Sequence, residues 1–176
     1  MYIAVTAGHS NTDSGAVGNG FQENKFCAGL RNIIVHYLKT SGYDVKTDGT
    51  GLVNAPLKDA IAIAKNAKVA IEIHLNASTN SKAEGIEVLA NPKDKVLAQK
   101  ISKAIYDVTK SPLRGEMGYK PENSGQHARL GYVRAGGLVV EVEFISNKER
   151  MKALNDKVWL VGKSIAGTLI DYMDNA

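Results

Sequence analysis

The sequence predicts a single α/β domain with a twisted, mostly parallel central sheet flanked by helices. Three observations predict it. Short apolar segments of strand character alternate with longer segments of helical spacing along the whole chain. The length, 176 residues, suits one domain able to bury a full core. No internal repeat, low-complexity tract or linker interrupts the pattern, so one domain is expected over residues 1–176 without a second module.

The elements follow in order. YIAVTA is short, apolar and bounded by Gly8, and reads as a strand. The stretch GHSNTDSGAVGNGFQE is rich in Gly, Ser, Asn and Asp and reads as a loop leaving that strand's carboxyl end. NKFCAGLRNIIVHYLKTSG places Phe26, Leu30, Ile33, Ile34, Tyr37 and Leu38 at helical spacing, with Gly42 as the stop. YDVKT is a short strand. Asn54 or Ala55 opens the next helix with Pro56 in its first turn, and Leu57, Ile61 and Ala64 mark its buried face. VAIEIHLNA and GIEVLA are strands. NPKDKVLAQKISKAIYDVTK is a helix with Val96, Ile101 and Ile105 on one side. SPLRGEMGYKPENSGQHARLGYVRAGG reads as one long loop, a length that in a compact domain usually signals function or mobility. LVVEVEF is the last strand, and one closing helix follows, opened by Ser146 or Asn147.

Composition excludes several classes of function. The net charge of +4 is spread along the chain, with no basic run interleaved with aromatics, so no nucleic-acid partner is expected. Cys27 is the sole cysteine, which rules out an intramolecular disulfide and any cysteine-rich zinc site. A metal would have to be held by His, Asp or Glu. No apolar stretch reaches membrane-spanning length, and MYIAVTAGHS lacks the features of a secretory signal. The sequence therefore suggests a monomer made in the cytoplasm, without membrane insertion.

Sites in open α/β sheets form at the carboxyl ends of strands. The ionisable residues there are His9, His74, Glu141 and Glu143, and Glu23 stands where the first loop meets the first helix. Two histidines and a carboxylate are a common zinc set that leaves a position open for water, and a further carboxylate is the usual general base. Each residue also has a plainer explanation. His9 suits a solvated loop, and Glu23 suits a helix amino terminus. His74 and Glu141 are harder to dismiss. They lie in apolar strands, where a buried imidazole needs a partner and a buried carboxylate is costly unless paired or ligated.

Three segments carry a resemblance. GHSNTDSGAVGNGFQE, EIHLNA and LGYVRAGGLVVEVEFISNKE resemble, in order, the three motifs of the zinc-dependent N-acetylmuramoyl-L-alanine amidases of the Amidase_3 type. Each motif alone is weak, and the three in order cover essentially the whole chain. The resemblance implies that His9, Glu23 and His74 ligate one zinc ion and that Glu141 is the catalytic glutamate. It implies peptidoglycan as substrate, cleaved at the amide between N-acetylmuramic acid and L-alanine. A chain with neither secretory signal nor separate wall-binding module suggests a phage endolysin that waits in the cytoplasm and is released to the wall. The alternatives are a wall-remodelling or spore-wall amidase, a zinc carboxypeptidase or aminopeptidase on a related sheet, and a degenerate peptidoglycan-binding module.

Departures from the family pattern raise further expectations. Ser14 replaces a frequent Pro, Glu72 a usual Ser, and Glu143 a usual Gly. Strand alternation puts Glu72 on the face of His74 and Glu143 on the face of Glu141. Both extra carboxylates are therefore expected near the metal, paired with a base, or turned to solvent at strand ends. Asp13 either orients a histidine or closes a turn, and Asn76 holds the loop after His74. Arg134 binds a substrate anion or pairs with a glutamate. Arg114 and His127 either meet substrate or stay solvated. His36 and Cys27 are expected to be structural.

Overall fold

The computed structural model describes residues 1–124 and 130–175. Its centre is a six-stranded sheet in the order β4-β1-β5-β8-β6-β7. The strands are β1 (Ile3–Ala7), β4 (Val45–Lys46), β5 (Val69–Asn76), β6 (Glu87–Ala90), β7 (Tyr119–Pro121) and β8 (Leu138–Phe144). Every pairing is parallel except β6 with β8. A separate two-stranded hairpin, β2 (Val17–Gly18) with β3 (Phe21–Gln22), lies within the first loop. The helices are α1 (Glu23–Thr40), α2 (Leu57–Ala64), α3 (Lys95–Thr109), α4 (Gly131–Arg134), α5 (Lys148–Asp156) and α6 (Val158–Asp174). Among the described residues, no helix is long and apolar enough to cross a membrane.

Alternation along the strands sorts the two faces. Ile3, Val5, Ile71, Ile73, Val88, Val140 and Val142 pack with buried residues of α1, α3 and α6, including Leu30, Ile34, Ile101 and Ile165. Cys27 is fully buried in this layer. On the other face, Ala4, Ala70, Leu89 and Val139 pack with Ala60 and Ala64 of α2 and Tyr132 and Val133 of α4. These two helices are only eight and four residues long. They cover only part of that face, and the next residues along it, Thr6, Glu72, His74, Glu87 and Glu141, are polar. The sheet thus carries its chemistry where its thinner helical layer stops.

Several elements differ from the sequence expectations. The loop after β1 contains the β2–β3 hairpin, closed by Asn19 and Gly20, both in the left-handed region at φ 51° and 85°. That is the turn an Asn-Gly pair favours between strands. The long segment after α3 holds β7 and α4 rather than one loop. Pro121 is tolerated because β7 is an edge strand, where a missing amide donor costs no ladder bond. The closing helix is two helices, α5 and α6, separated at Lys157, whose φ of −118° leaves the helical region. Asn147 is the cap of α5, its side chain accepting from the Arg150 amide. Leu57 and Val96 are 50% and 64% exposed rather than buried. The buried face of α2 is made by Ala60 and Ala64, and that of α3 by Leu97, Ala98, Ile101 and Ile105.

Candidate metal centre

The site is built from the ends of β1 and β5 and the first residue of α1. The chain after β1 turns sharply at Gly8 and His9, the latter at φ 66°. A side chain on Gly8 would come within 2.6 Å of the His74 ring, so only glycine lets β1 end against it. A buried network fixes this turn. Asn54 Nδ2 donates to the carbonyls of Ala7, Gly8 and His9 at 3.1, 2.9 and 3.1 Å. The fully buried guanidinium of Arg31 donates to Asp48 at 2.9 Å and to Asn54 at 3.0 Å, and Asp48 accepts from the Ala7 amide. The β2–β3 hairpin then returns the chain to the sheet, tied down by Asn19 Nδ2 donating to the Ile145 carbonyl at 2.8 Å.

Glu23, 3% exposed, is the hub. Its Oε2 lies 3.0 Å from His9 Nε2 and its Oε1 3.1 Å from His74 Nδ1. The two oxygens also accept from the backbone amides of Ala16 and Leu75 at 2.9 and 3.0 Å. The outer nitrogen of each imidazole meets a second carboxylate: His9 Nδ1 lies 2.8 Å from Asp13 Oδ2, and His74 Nε2 lies 2.9 Å from Glu72 Oε2. Gly15, at φ 62°, allows the loop to pass over this cluster, since a Cβ there would meet His9 and Glu23 at 2.5–2.6 Å.

The arrangement fits a divalent ion. One atom each from His9, Glu23 and His74 lies within 4.8 Å of the others. Bonds of about 2.0–2.2 Å to a shared ion would separate such atoms by roughly 3–3.5 Å in a tetrahedral site. Each histidine is also backed by a carboxylate, the arrangement that orients metal-bound imidazoles. The electrostatics agree. Burial lowers the proton affinity of His74, but bonds to Glu23 and Glu72 and the nearby Glu141 charge reverse this and hold its pKa well above 6.5. The bond to Glu23 raises His9 against desolvation, with Asp13 assisting. Burial pushes the Glu23 carboxyl up, yet the bonds to His74 and His9 overcome it and leave its pKa far below the ordinary 4.5. The carboxylates call for positive charge here, which either protons on the imidazoles or a metal can supply.

Glu141 pairs in register with His74 across β5 and β8, and both line one cavity of about 470 Å³. Asp13, Glu72, Asn76, Leu57, Leu130 and Tyr132 complete much of its wall. The structure brings His9, Glu23, His74, Asp13, Glu72, Asn76 and Glu141, all singled out in the sequence, together around one cavity. Asp13 does both things expected of it, since its Oδ1 also accepts from the Gly15 amide at 3.0 Å.

Glu143 is a correction. The β5–β8 register shifts between the His74–Glu141 and Asn76–Phe144 pairs, so two steps on β5 match three on β8. This irregularity breaks the alternation that would have kept Glu143 on the face of Glu141. Glu143 is instead buried at 2%, accepting from the amides of Gly85 and Phe144 and from the Ser111 hydroxyl. Among the described residues it pairs with no base, and it does not line the cavity. Arg134 is 65% exposed along its side chain, 3.8 Å from Glu122, and also lies outside the cavity wall. Arg114 is not merely solvated: it donates to Glu87 at 2.7 Å and stacks on Phe144. His127 lies outside the described residues. Unforeseen were Glu87, Arg31, Asp48 and Asn54. Two of them had a signal in the sequence: a glutamate in the apolar run GIEVLA and an arginine inside the apolar pattern of α1.

Comparison with known proteins decides the family. The profile of the N-acetylmuramoyl-L-alanine amidases, Amidase_3, matches residues 3–171. The chain belongs to this amidase family. It is 43% identical to a Neisseria meningitidis protein proposed to be such an amidase, over 98% of this chain and 96% of that one, with a TM-score of 0.91. The catalytic domain of CwlV, the amidase of Bacillus (Paenibacillus) polymyxa var. colistinus, is 25% identical over 99% of both chains with a TM-score of 0.84. A Staphylococcus aureus protein assigned as autolysin PH is 27% identical over 95% of this chain, which spans 38% of that longer protein. This family membership makes the chain an amide hydrolase acting on the bacterial cell wall.

Proposed function

We propose that the protein is a zinc-dependent N-acetylmuramoyl-L-alanine amidase that holds one ion through His9, Glu23 and His74 and uses Glu141 as its general base. The convergence of His9 Nε2 and His74 Nδ1 on the two oxygens of Glu23, at 3.0 and 3.1 Å, carries this proposal. When bound, zinc lowers the pKa of water to about 7 and polarises a carbonyl. Glu141, opposite His74 on the cavity wall, takes a proton from the attacking water and returns it to the departing L-alanine amine. Asp13 and Glu72 keep the outer nitrogens of the histidines engaged, fixing the rings so that the inner nitrogens would be free to hold a bound ion. The same cleavage serves a phage endolysin or an enzyme that remodels its own cell's wall.

Digestion of purified peptidoglycan tests the proposal. New L-alanine amino termini should appear, vanish on chelation, and return with added zinc. Release of free amino acids would indicate a peptidase instead, and tight binding without any product would indicate a binding module. Full zinc retention in His74→Ala would overturn the ligand set.

A further inference from the structure

A second cavity, of about 290 Å³, adjoins the first and shares Asn76 and Ala77 with it. Its wall includes Ser78, Glu87, Arg114 and Phe144. Glu87 is 1% exposed and faces Glu141 in the antiparallel β6–β8 register. Arg114 Nε donates to Glu87 Oε2 at 2.7 Å, Lys120 Nζ forms an ion pair with the same oxygen at 2.7 Å, and Asn76 Nδ2 donates to Oε1 at 3.0 Å. The guanidinium of Arg114 also lies over the Phe144 ring, 4.9 Å from its centre. Arg114 and Lys120 keep 38% and 23% of their side chains exposed.

Two cations share one buried carboxylate, so this trio keeps a positive charge beside the catalytic cavity. We propose that Arg114, on the wall of the second cavity, with Lys120 paired to the same Glu87 carboxylate behind it, forms an anion subsite for a carboxylate of the peptide leaving group. The assignment rests on the amidase function proposed above. Its reach fits the chemistry. Side chains opposite each other in antiparallel strands stand about 4.5–5.5 Å apart at Cβ. An extended peptide advances about 3.3–3.6 Å per residue. A leaving group running from Glu141 toward β6 would therefore bring a group one or two residues beyond the cleaved bond over Glu87, beside Arg114. In a peptidoglycan stem, the second residue is a γ-linked glutamate whose α-carboxyl is either free or amidated. Arg114 Nε is held by Glu87 and its Nη1 by the Glu84 carbonyl at 3.4 Å, so a free carboxylate would meet the Nη2 side of the guanidinium with charge-assisted hydrogen bonds, which a carboxamide does not. The subsite thus selects stems with a free second-residue carboxylate.

The test compares ligands that differ only at that group. Affinities of the free peptides L-Ala-γ-D-Glu-L-Lys and L-Ala-γ-D-Gln(α-amide)-L-Lys are measured by calorimetry on the full chain, alongside kcat/KM for their muramyl forms. The wild type should prefer the acid by about tenfold or more in both measurements. Arg114→Gln and Lys120→Gln should each erase most of that preference, weakening the acid, through KM, more than the amide. Arg114→Lys keeps the charge and should keep part of the preference, which a merely structural loss would not do. Equal affinity of the wild type for both peptides overturns the subsite, as does an equal loss for both in Arg114→Gln. Failure of the wild type to cleave either muramyl form would sink the amidase function, and the affinities would still decide the subsite.

Discussion

At the scale of single residues, the two glutamates of β8 separate chemistry from structure. Glu141 lines the cavity opposite His74, and Glu143 is spent on the amides of Gly85 and Phe144. Glu141→Gln keeps the shape but loses the base. Its kcat should fall by about 10²–10⁴, with zinc content unchanged by metal analysis. Glu143→Gln should leave kcat per folded molecule nearly intact and cost about 1–3 kcal/mol in denaturant unfolding, because a buried acceptor is weakened and an amide is forced among donors. The opposite pattern would transfer the catalytic role to Glu143. Gly15 makes a comparable point about space. Its φ of 62° and the 2.5–2.6 Å approach to His9 and Glu23 leave no room for a methyl group. Gly15→Ala should therefore weaken zinc binding, read by competition with a chromophoric chelator, more than it lowers the melting temperature of the zinc-free protein.

At the scale of elements, the proposed ligands are only as well placed as the turn after β1. Asn54 holds three consecutive carbonyls of that turn, and Arg31 holds Asn54 from inside α1. Asn54→Ala would orphan these acceptors. It should cost about 1–3 kcal/mol of stability and lower zinc affinity by about tenfold, the scale seen when support around metal ligands is removed. An unchanged zinc affinity in the folded variant would show that His9 needs no such support. Beyond the oddity of Arg31 inside the apolar pattern of α1, this network could not be read from the sequence, because it joins residues 31, 48 and 54 through the folding of a loop without periodicity. The main strands and α1 were legible because their apolar spacing is regular. The residues proposed to hold the metal were legible because His74 stands out in an apolar strand, and His9 and Glu23 in the loop after β1 and at the start of α1. The edge strand β7 and the break before α6 were not, since two- or three-residue pairings and one non-helical residue leave almost no pattern. Glu143 was misplaced for a related reason: a strand irregularity shifts the face of a side chain without changing the sequence signal.

At the scale of the whole molecule, the proposed metal centre would couple proton binding, metal binding and stability. In the zinc-free protein, His9 and His74 have pKa values raised above 6.5. The stability they contribute is full below pH 6.5 and is lost as pH rises through their raised values. Glu23 has a depressed pKa, so its contribution is present above about pH 4.5 and is lost as pH falls toward the depressed value. The zinc-free cluster is therefore most stabilising between about pH 4.5 and 6.5. Zinc must displace the imidazole protons to bind, so its apparent affinity rises with pH. Its stabilisation follows that affinity through the ligand-binding term RT ln(1 + [L]/Kd). Melting curves at fixed free zinc and with chelator should diverge little near pH 5.5 and widely near pH 8. The zinc-free curve should lose stability over the same rise in pH as the imidazoles give up their protons. A zinc-induced shift that stays constant over this range would mean that the ion binds without displacing protons from His9 and His74, and so is held elsewhere.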